Sequence, residues 1–201
     1  MKEILITPII FCLGMPACVT VEKAEVDVDE KKLIIELTKP ENMEKIAYAL
    51  KLIGEKKQLS EVKPKAEEGD AEAQNMLGDM YYYGKGVDQN HEEAAKWYFK
   101  SAEQGNAIAQ NMIGLIHSEG KGVAQDYKEA VKWYRKAAGQ NQPDAQHNLG
   151  VMYENGLGVE KDLMEAIQWH RKAAEQGHEE AKAALKKLTD QQKPHKPKKD
   201  K

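Results

Sequence analysis

Residues 107–142, which read AIAQNMIGLIHSEGKGVAQDYKEAVKWYRKAAGQNQ, decide the fold. Ala109, Ile113 and Ile116 recur at helical spacing and form an apolar stripe, which predicts a first helix. The sequence Gly120-Lys121-Gly122 then predicts its end, because glycine readily takes the left-handed conformation that a helix terminus requires.

A second helix is predicted directly after this glycine turn. Asp126, followed three residues later by Glu129, is typical of a helix start. Asn90 and Asp162 hold the corresponding position in the flanking sequence. The buried face of the second helix is predicted to consist of Ala130, Trp133, Tyr134 and Ala137. The stretch is therefore a helix–turn–helix hairpin.

This hairpin recurs with a period of 36 residues, which gives three units at 71–106, 107–142 and 143–178. The same step relates the residues expected to form the repeated core: Gly78, Gly114 and Gly150 in the first helices, and Trp97, Trp133 and Trp169 in the second. A glycine within a helix lets a neighbouring element approach its backbone closely. We therefore expect each tryptophan to pack opposite one of these glycines.

Helices of about twelve residues are marginally stable alone in water, so the hairpins must stack. The predicted fold class is all-α: a right-handed α/α superhelical solenoid of helix-turn-helix repeats. An N-terminal helical cap is expected over 43–70, built from one helix over 41–55 and a degraded second helix over 57–68. A C-terminal capping helix is expected over 179–189, and a disordered Lys-rich tail over 190–201.

The first residues have the pattern of an export signal. One lysine, an apolar run over 4–15 and small residues before Cys18 predict a signal peptide over 1–17. Cys18 is then a candidate for lipidation, which would attach the chain to a membrane, whereas an exported chain without the lipid would be free in the periplasm. The alternative is a cytoplasmic protein with an N-terminal helix. Residues 18–42 are interpreted as a tether to which the pattern assigns no single structure, since 32–37 could form a strand or a helix extension.

The repeated pattern resembles the Sel-one-like repeat, a family related to tetratricopeptide repeats. It is carried by Ala71-Glu72-Ala73-Gln74, Gly84-Lys85-Gly86-Val87, Trp97 and Ala102, and recurs one and two periods later. The resemblance implies a protein-interaction scaffold or adaptor in envelope, signalling or host-contact complexes. The cysteine-rich branch of that family carries a disulfide in each unit. No cysteine follows Cys18 here, so activities attached to that branch do not carry over.

Enzyme, metal and nucleic-acid signals are weak. The 30 basic and 33 acidic residues nearly balance, and no phosphate loop, nucleophile elbow or zinc motif occurs. Five histidines lie at different positions of the period: His91, His117, His147, His170 and His178. We therefore predict no catalytic residue, no cofactor, no metal site and no nucleic-acid partner. A hydrolase or cell-wall-related enzyme using the groove is the alternative function.

The expected function is to bind a protein or peptide partner in the concave groove lined by the first helices. Apolar and amide side chains at positions facing away from the predicted core suggest this groove. The predicted groove residues are Asn75, Met76, Asp79, Tyr82, Asn111, Met112, Leu115, His147, Asn148 and Val151. An alternative is that some of them complete helix packing. The pattern predicts no particular oligomeric state.

Overall fold

A computed structural model describes residues 39 and 42–191, and within them every regular element is an α-helix. The expected signal segment over 1–17, most of the tether over 18–42 and residues 192–201 of the expected tail lie outside the described residues. Residues 190 and 191, expected to belong to the disordered tail, instead continue the helix that begins at Glu179. The eight helices of the described part are α1 Met43–Glu67, α2 Ala71–Tyr83, α3 His91–Glu103, α4 Ala107–Glu119, α5 Tyr127–Gly139, α6 Pro143–Asn155, α7 Leu163–Glu175 and α8 Glu179–Gln191. The all-helical repeat fold is confirmed.

The chain divides into two compact regions. The described part of the N-terminal region consists of residue 39 and residues 42–48, which include the opening turns of α1. The C-terminal region begins at Ala49 and contains the three repeat units, which are the hairpins α2–α3, α4–α5 and α6–α7, followed by α8.

The helix starts and stops follow the repeated polar residues. Asn90, Asp126 and Asp162 cap α3, α5 and α7, as predicted, with side chains that accept backbone N–H groups of the first turn. The first helices α2, α4 and α6 are capped in the same way by the side chains of the residues directly before them. Because these caps satisfy backbone N–H groups that a helix start leaves unpaired, they fix where each of the six helices begins.

The expected pair of N-terminal helices is wrong, because α1 is one continuous helix of 25 residues. No left-handed residue interrupts it, and Gly54 stays helical. Its C-terminal half takes the place of a second helix in a preceding unit. Val62 and Ala66 are buried there, 36 residues before Tyr98 and Ala102. The start of the stack is therefore covered by a helix that shares the repeat register.

The tryptophans lie where one unit meets the next. Trp133, from the second unit, packs in one apolar cluster with Tyr98 and Ala102 of the first. Trp97 joins Val62 and Ala66 of α1 in the same way, while Trp169 packs against the cluster that contains Tyr134. Each indole is therefore part of the junction between its own hairpin and the helix or hairpin that precedes it.

The expected pairing of these tryptophans with the mid-helix glycines is wrong. The ring over each glycine belongs to the next residue of the second helix: Tyr98 over Gly78, Tyr134 over Gly114 and His170 over Gly150. A Cβ on Gly114 would lie 2.5 Å from carbons of the Tyr134 ring. The side chains of consecutive helical residues point in directions about 100° apart. The tryptophan side chain therefore faces the preceding unit, while the side chain of the next residue faces the first helix of the same hairpin.

The second glycine of each Gly-x-Gly turn contacts backbone of the preceding unit. A Cβ on Gly122 would lie 2.3 Å from the carbonyl oxygen of His91, and one on Gly158 would lie 2.3 Å from that of Tyr127. Both glycines have positive φ angles, 76° and 68°. The turn that ends a first helix is therefore also a contact between units, and only glycine fits there without strain.

A ladder of glutamines also joins consecutive units. The side-chain amide of Gln140 donates to Gln110 Oε1 at 2.8 Å, and Gln110 donates to the Ala102 carbonyl oxygen at 3.1 Å. Gln104 and Gln74 repeat this arrangement at the first junction, and Gln176 and Gln146 at the last. Paired amides satisfy one another inside the stack, where unpaired ones would be costly.

Candidate interaction surface

Each first helix carries one stripe of side chains whose ends are exposed to solvent. The stripe follows the spacing i, i+4, i+7 and i+11, which keeps residues on one helical face. We call these residues the first-helix stripe: Glu72, Met76, Asp79 and Tyr83 on α2; Ile108, Met112, Leu115 and Glu119 on α4; Asp144, Asn148, Val151 and Asn155 on α6. On each helix the first and last of the four residues are exposed, and the two between them are half-buried. Met112 is the exception among these central residues, because it is buried.

Five of the predicted groove residues lie on this stripe with partly accessible side chains: Met76, Asp79, Leu115, Asn148 and Val151. His147 is half-buried and belongs to a cluster of histidines instead. The structure therefore brings together about half of the predicted set.

Four predicted groove residues are buried and not available to a partner: Asn75, Tyr82, Asn111 and Met112. The reason is contact between neighbouring units. Asn111 Oδ1 accepts a hydrogen bond from Asn148 Nδ2 at 3.0 Å, and the Tyr82 hydroxyl donates to Glu119 Oε2 at 3.3 Å. Met112 packs in the apolar cluster around Trp133. These positions therefore stabilise the stack.

Two large, mostly apolar residues that are exposed on the stripe were not predicted. Tyr83 is 55% exposed and Ile108 is 54% exposed, although both are large and mostly apolar. Extending the spacing by seven residues from Met76 leads to Tyr83, and from Leu115 back to Ile108. Extending the helical spacing from the predicted residues would therefore have identified Tyr83 and Ile108.

Asp79 also has a structural role. The Tyr98 hydroxyl donates a hydrogen bond to Asp79 Oδ1 at 2.6 Å, and burial together with this bond raises the pKa of Tyr98 well above its ordinary value. The carboxylate therefore holds the ring that packs on Gly78. Asp79 contributes charge to the stripe, but its direction is fixed by Tyr98.

A cleft of about 380 Å³ continues the stripe at its first helix, between α1 and α2. Its apolar lining is Met76, Val62 and Ala73. Its polar lining contains more acidic than basic groups: Gln58, Glu61, Lys65, Asp70 and Glu72. The cleft suits a side chain with an apolar stem and a positive end.

The described residues contain no group of three or more histidine, cysteine or carboxylate side chains that could hold a metal ion. Over the same residues, none of the helices is both long and apolar enough to cross a membrane.

The family described as Sel1 repeat matches residues 71–106, 107–142 and 143–178, which together make up more than half of the chain. These are the same ranges as the units read from the 36-residue period. No curated protein sequence matches the chain.

Solved structures with the same repeat are similar to this chain. A Sel1 repeat protein from Oxalobacter formigenes is 41% identical, with a TM-score of 0.58, over 64% of this chain and 97% of that one. Cysteine rich protein B of Helicobacter pylori is 26% identical, with a TM-score of 0.52, over 65% and 96%.

A further similar structure is c5321, a protective antigen present in uropathogenic Escherichia coli strains that displays an SLR fold. It is 44% identical, with a TM-score of 0.61, over 63% of this chain. The match spans only 27% of that antigen, which is therefore much longer than the matched region.

Proposed function

Because the chain belongs to the Sel1 repeat family, we propose that it is a non-enzymatic scaffold that binds an extended segment of a partner protein along the first-helix stripe. Sel1 repeat proteins are generally protein-interaction scaffolds and typically not enzymes.

The observation that carries the proposal is the exposure of Tyr83 and Ile108 beside the half-buried Met76 and Leu115. Large apolar side chains in water gain free energy when a partner covers them, at roughly 25 cal/mol per Å² of buried apolar area. Methionine adapts its shape to varied partners. A row of such side chains on successive helices suits an extended segment better than a compact ligand.

The charge on the stripe indicates the composition of the segment. Its twelve residues include four carboxylates, Glu72, Asp79, Glu119 and Asp144, and no lysine or arginine. Glu119 is paired with Lys121 at 2.8 Å, Asp79 accepts a hydrogen bond from the Tyr98 hydroxyl, and Asp144 lies 3.2 Å from His178. Glu72 belongs to the acidic lining of the cleft at α2. We expect a partner segment in which lysine or arginine alternates with apolar residues, bound more weakly at high salt.

Changing Ile108 to Glu is expected to weaken partner binding about tenfold or more, because it places a charge in the apolar part of the stripe. The partner is first captured from the source cells on wild-type protein and purified. Its dissociation constant is then measured for wild type and for the I108E variant.

The matched control is Met164→Glu, which changes a 59% exposed apolar side chain at the start of α7, outside the stripe. This variant should bind as wild type does, and both variants should melt as wild type does. Equal binding by I108E and wild type would place the partner elsewhere. Equal weakening of partner binding by both variants would contradict binding along the first-helix stripe.

We also propose that the chain is exported, either free or anchored through a lipid on Cys18. The support is the apolar run over 4–15, followed by small residues before that cysteine. Mass spectrometry of the native N-terminus is the test. An acylated Cys18 supports the anchored form, an unmodified cleaved end supports the free form, and an intact Met1 would contradict export.

A further inference from the structure

Three histidines meet where the third unit contacts α8. The His147 ring, on α6, lies 4.7 Å from the His178 ring in a stacked arrangement and 5.0 Å from the His170 ring in a tilted one. We call these residues the histidine joint. Earlier units carry other residues at the same register positions: Asn75 and Asn111, Tyr98 and Tyr134, Asn106 and Gln142. The cluster is therefore a feature of this junction and not of the repeat.

His178 provides the cap of α8. Its Nδ1 accepts the backbone N–H of Ala181 at 3.2 Å, the role that the Asn106 side chain has for α4. Nδ1 can accept this bond only while it carries no proton. Asp144 Oδ1 lies 3.2 Å from Nε2, and Glu180 Oε2 lies 3.3 Å from Nδ1. A carboxylate therefore lies beside each nitrogen of the His178 ring.

His170 is held neutral in the core. It is fully buried over Gly150, and neither ring nitrogen has a hydrogen-bond partner. Burial, and then the neighbouring His147, lower the pKa of His170 from 6.5 to about 4. Burial and His178 also lower the pKa of His147. Neither ring can readily take a proton while the joint is closed.

Helix α8 also competes for a carboxylate near His170. Glu154 Oε2 lies 3.8 Å from His170 Nε2, while Glu154 Oε1 accepts a hydrogen bond from Lys187 of α8 at 3.1 Å. When α8 is in place, Lys187 therefore neutralises Glu154. Removing α8 would free Glu154 to pair with a protonated His170 and would expose that ring to water.

We propose that α8 is a pH-sensitive cap, docked on the third unit at neutral pH and released on acidification while the preceding units stay folded. The charged groups facing the joint are Asp144 and Glu154 on α6, and Glu180 and Lys187 on α8. His147 and His170 bind protons more readily once α8 leaves, so each proton taken up favours the released state.

The direction of the pH effect on α8 docking, and the pH range in which it acts, follow from the lowered pKa of His170. The pKa of His170 is about 4 while α8 is docked and 6.5 for a histidine in water, so above pH 6.5 the ring is neutral in both states and docking is at its strongest. As pH falls from 6.5 toward about 4, the released state takes up the proton first, and docking weakens. Release would uncover Ala166 and Ile167, against which Leu185 and Leu188 of α8 now pack. Acid would thus expose an apolar surface at the end of the third unit.

The test is hydrogen exchange of the full-length protein at pH 7.5 and 5.0, corrected for the intrinsic effect of pH. Protection of the α8 amides should fall about tenfold or more at pH 5.0, while α4 in the same molecule changes little. The double variant His147→Asn and His170→Tyr restores the residues of the preceding units and should keep α8 protected. A melt at pH 7.5 checks its folding.

A second variant, His178→Asn, restores the capping residue of α4 and should reduce the loss of protection. It supplies the comparison if the double variant folds poorly. Unchanged protection of wild-type α8 at pH 5.0 would overturn the proposal. Equal loss of α8 protection in wild type and in whichever variants fold would overturn it too.

Discussion

Replacing Gly122 with alanine is expected to lower the free energy of unfolding by about 2 to 5 kcal/mol. An alanine at φ 76° costs about 1 to 2 kcal/mol, and forcing an extra carbon into a packed contact adds about 1 to 3 kcal/mol. The added Cβ would lie 2.3 Å from the His91 carbonyl oxygen. Backbone of a capped helix cannot move aside as a side chain can. Urea unfolding followed by circular dichroism measures the loss.

The control for Gly122 is Gly139→Ala. Gly139 ends helix α5 and has no positive φ angle, and a Cβ added there would meet no atom within 4 Å. Alanine there should leave the protein as stable as wild type or more stable, by up to about 1 kcal/mol. If both variants unfold at the same urea concentration, the contact between the Gly-x-Gly turn and the preceding unit does not hold the stack together.

Replacing Trp133 with alanine is expected to destabilise the protein by about 3 to 5 kcal/mol. The indole is only 7% exposed and packs with residues of two units, including Tyr98 and Ile113. Its loss leaves a cavity at the junction, and hairpins this short depend on their neighbours for stability. Chemical denaturation of the full chain gives the difference in unfolding free energy.

Trp169→Ala makes the same chemical change at the equivalent position of the third unit and serves as the comparison. Trp169 is only partly buried, so its removal should cost less. A lysine ammonium lies over each ring, Lys136 over Trp133 at 3.7 Å and Lys172 over Trp169 at 4.0 Å. Both variants therefore lose the same kind of lysine contact. An equal or larger loss at Trp169 would contradict the ranking by burial.

The sequence predicts the repeats well because its strongest signals are local. The glycine turns and the caps Asn90, Asp126 and Asp162 act on the backbone within a few residues, so their effects follow from spacing alone. The continuous α1 was not predicted, because the repeat register suggested a second helix where no residue stops the first.

The interaction surface was harder to predict, since it depends on which helix faces meet in the stack. A period of 36 fixes the register position of Asn111 and of Asn148, but it does not show that the two side chains bond to one another. The same limit applies to the histidines. His147, His170 and His178 hold different register positions, yet packing between α6, α7 and α8 brings them together.

The glutamine ladder has a consequence for how such a chain can change length. Each unit pairs its own two glutamines, Gln140 with Gln110 and Gln176 with Gln146. The first-helix glutamine then donates to an alanine carbonyl oxygen of the preceding unit, as Gln110 does to Ala102 and Gln146 to Ala138. Duplicating or excising one whole period would place the same donor and acceptor on the two sides of the new boundary. An insertion of any other size within a unit would shift the partners out of alignment. Genes for such chains can thus grow or shrink by complete modules while every seam keeps its hydrogen bonds.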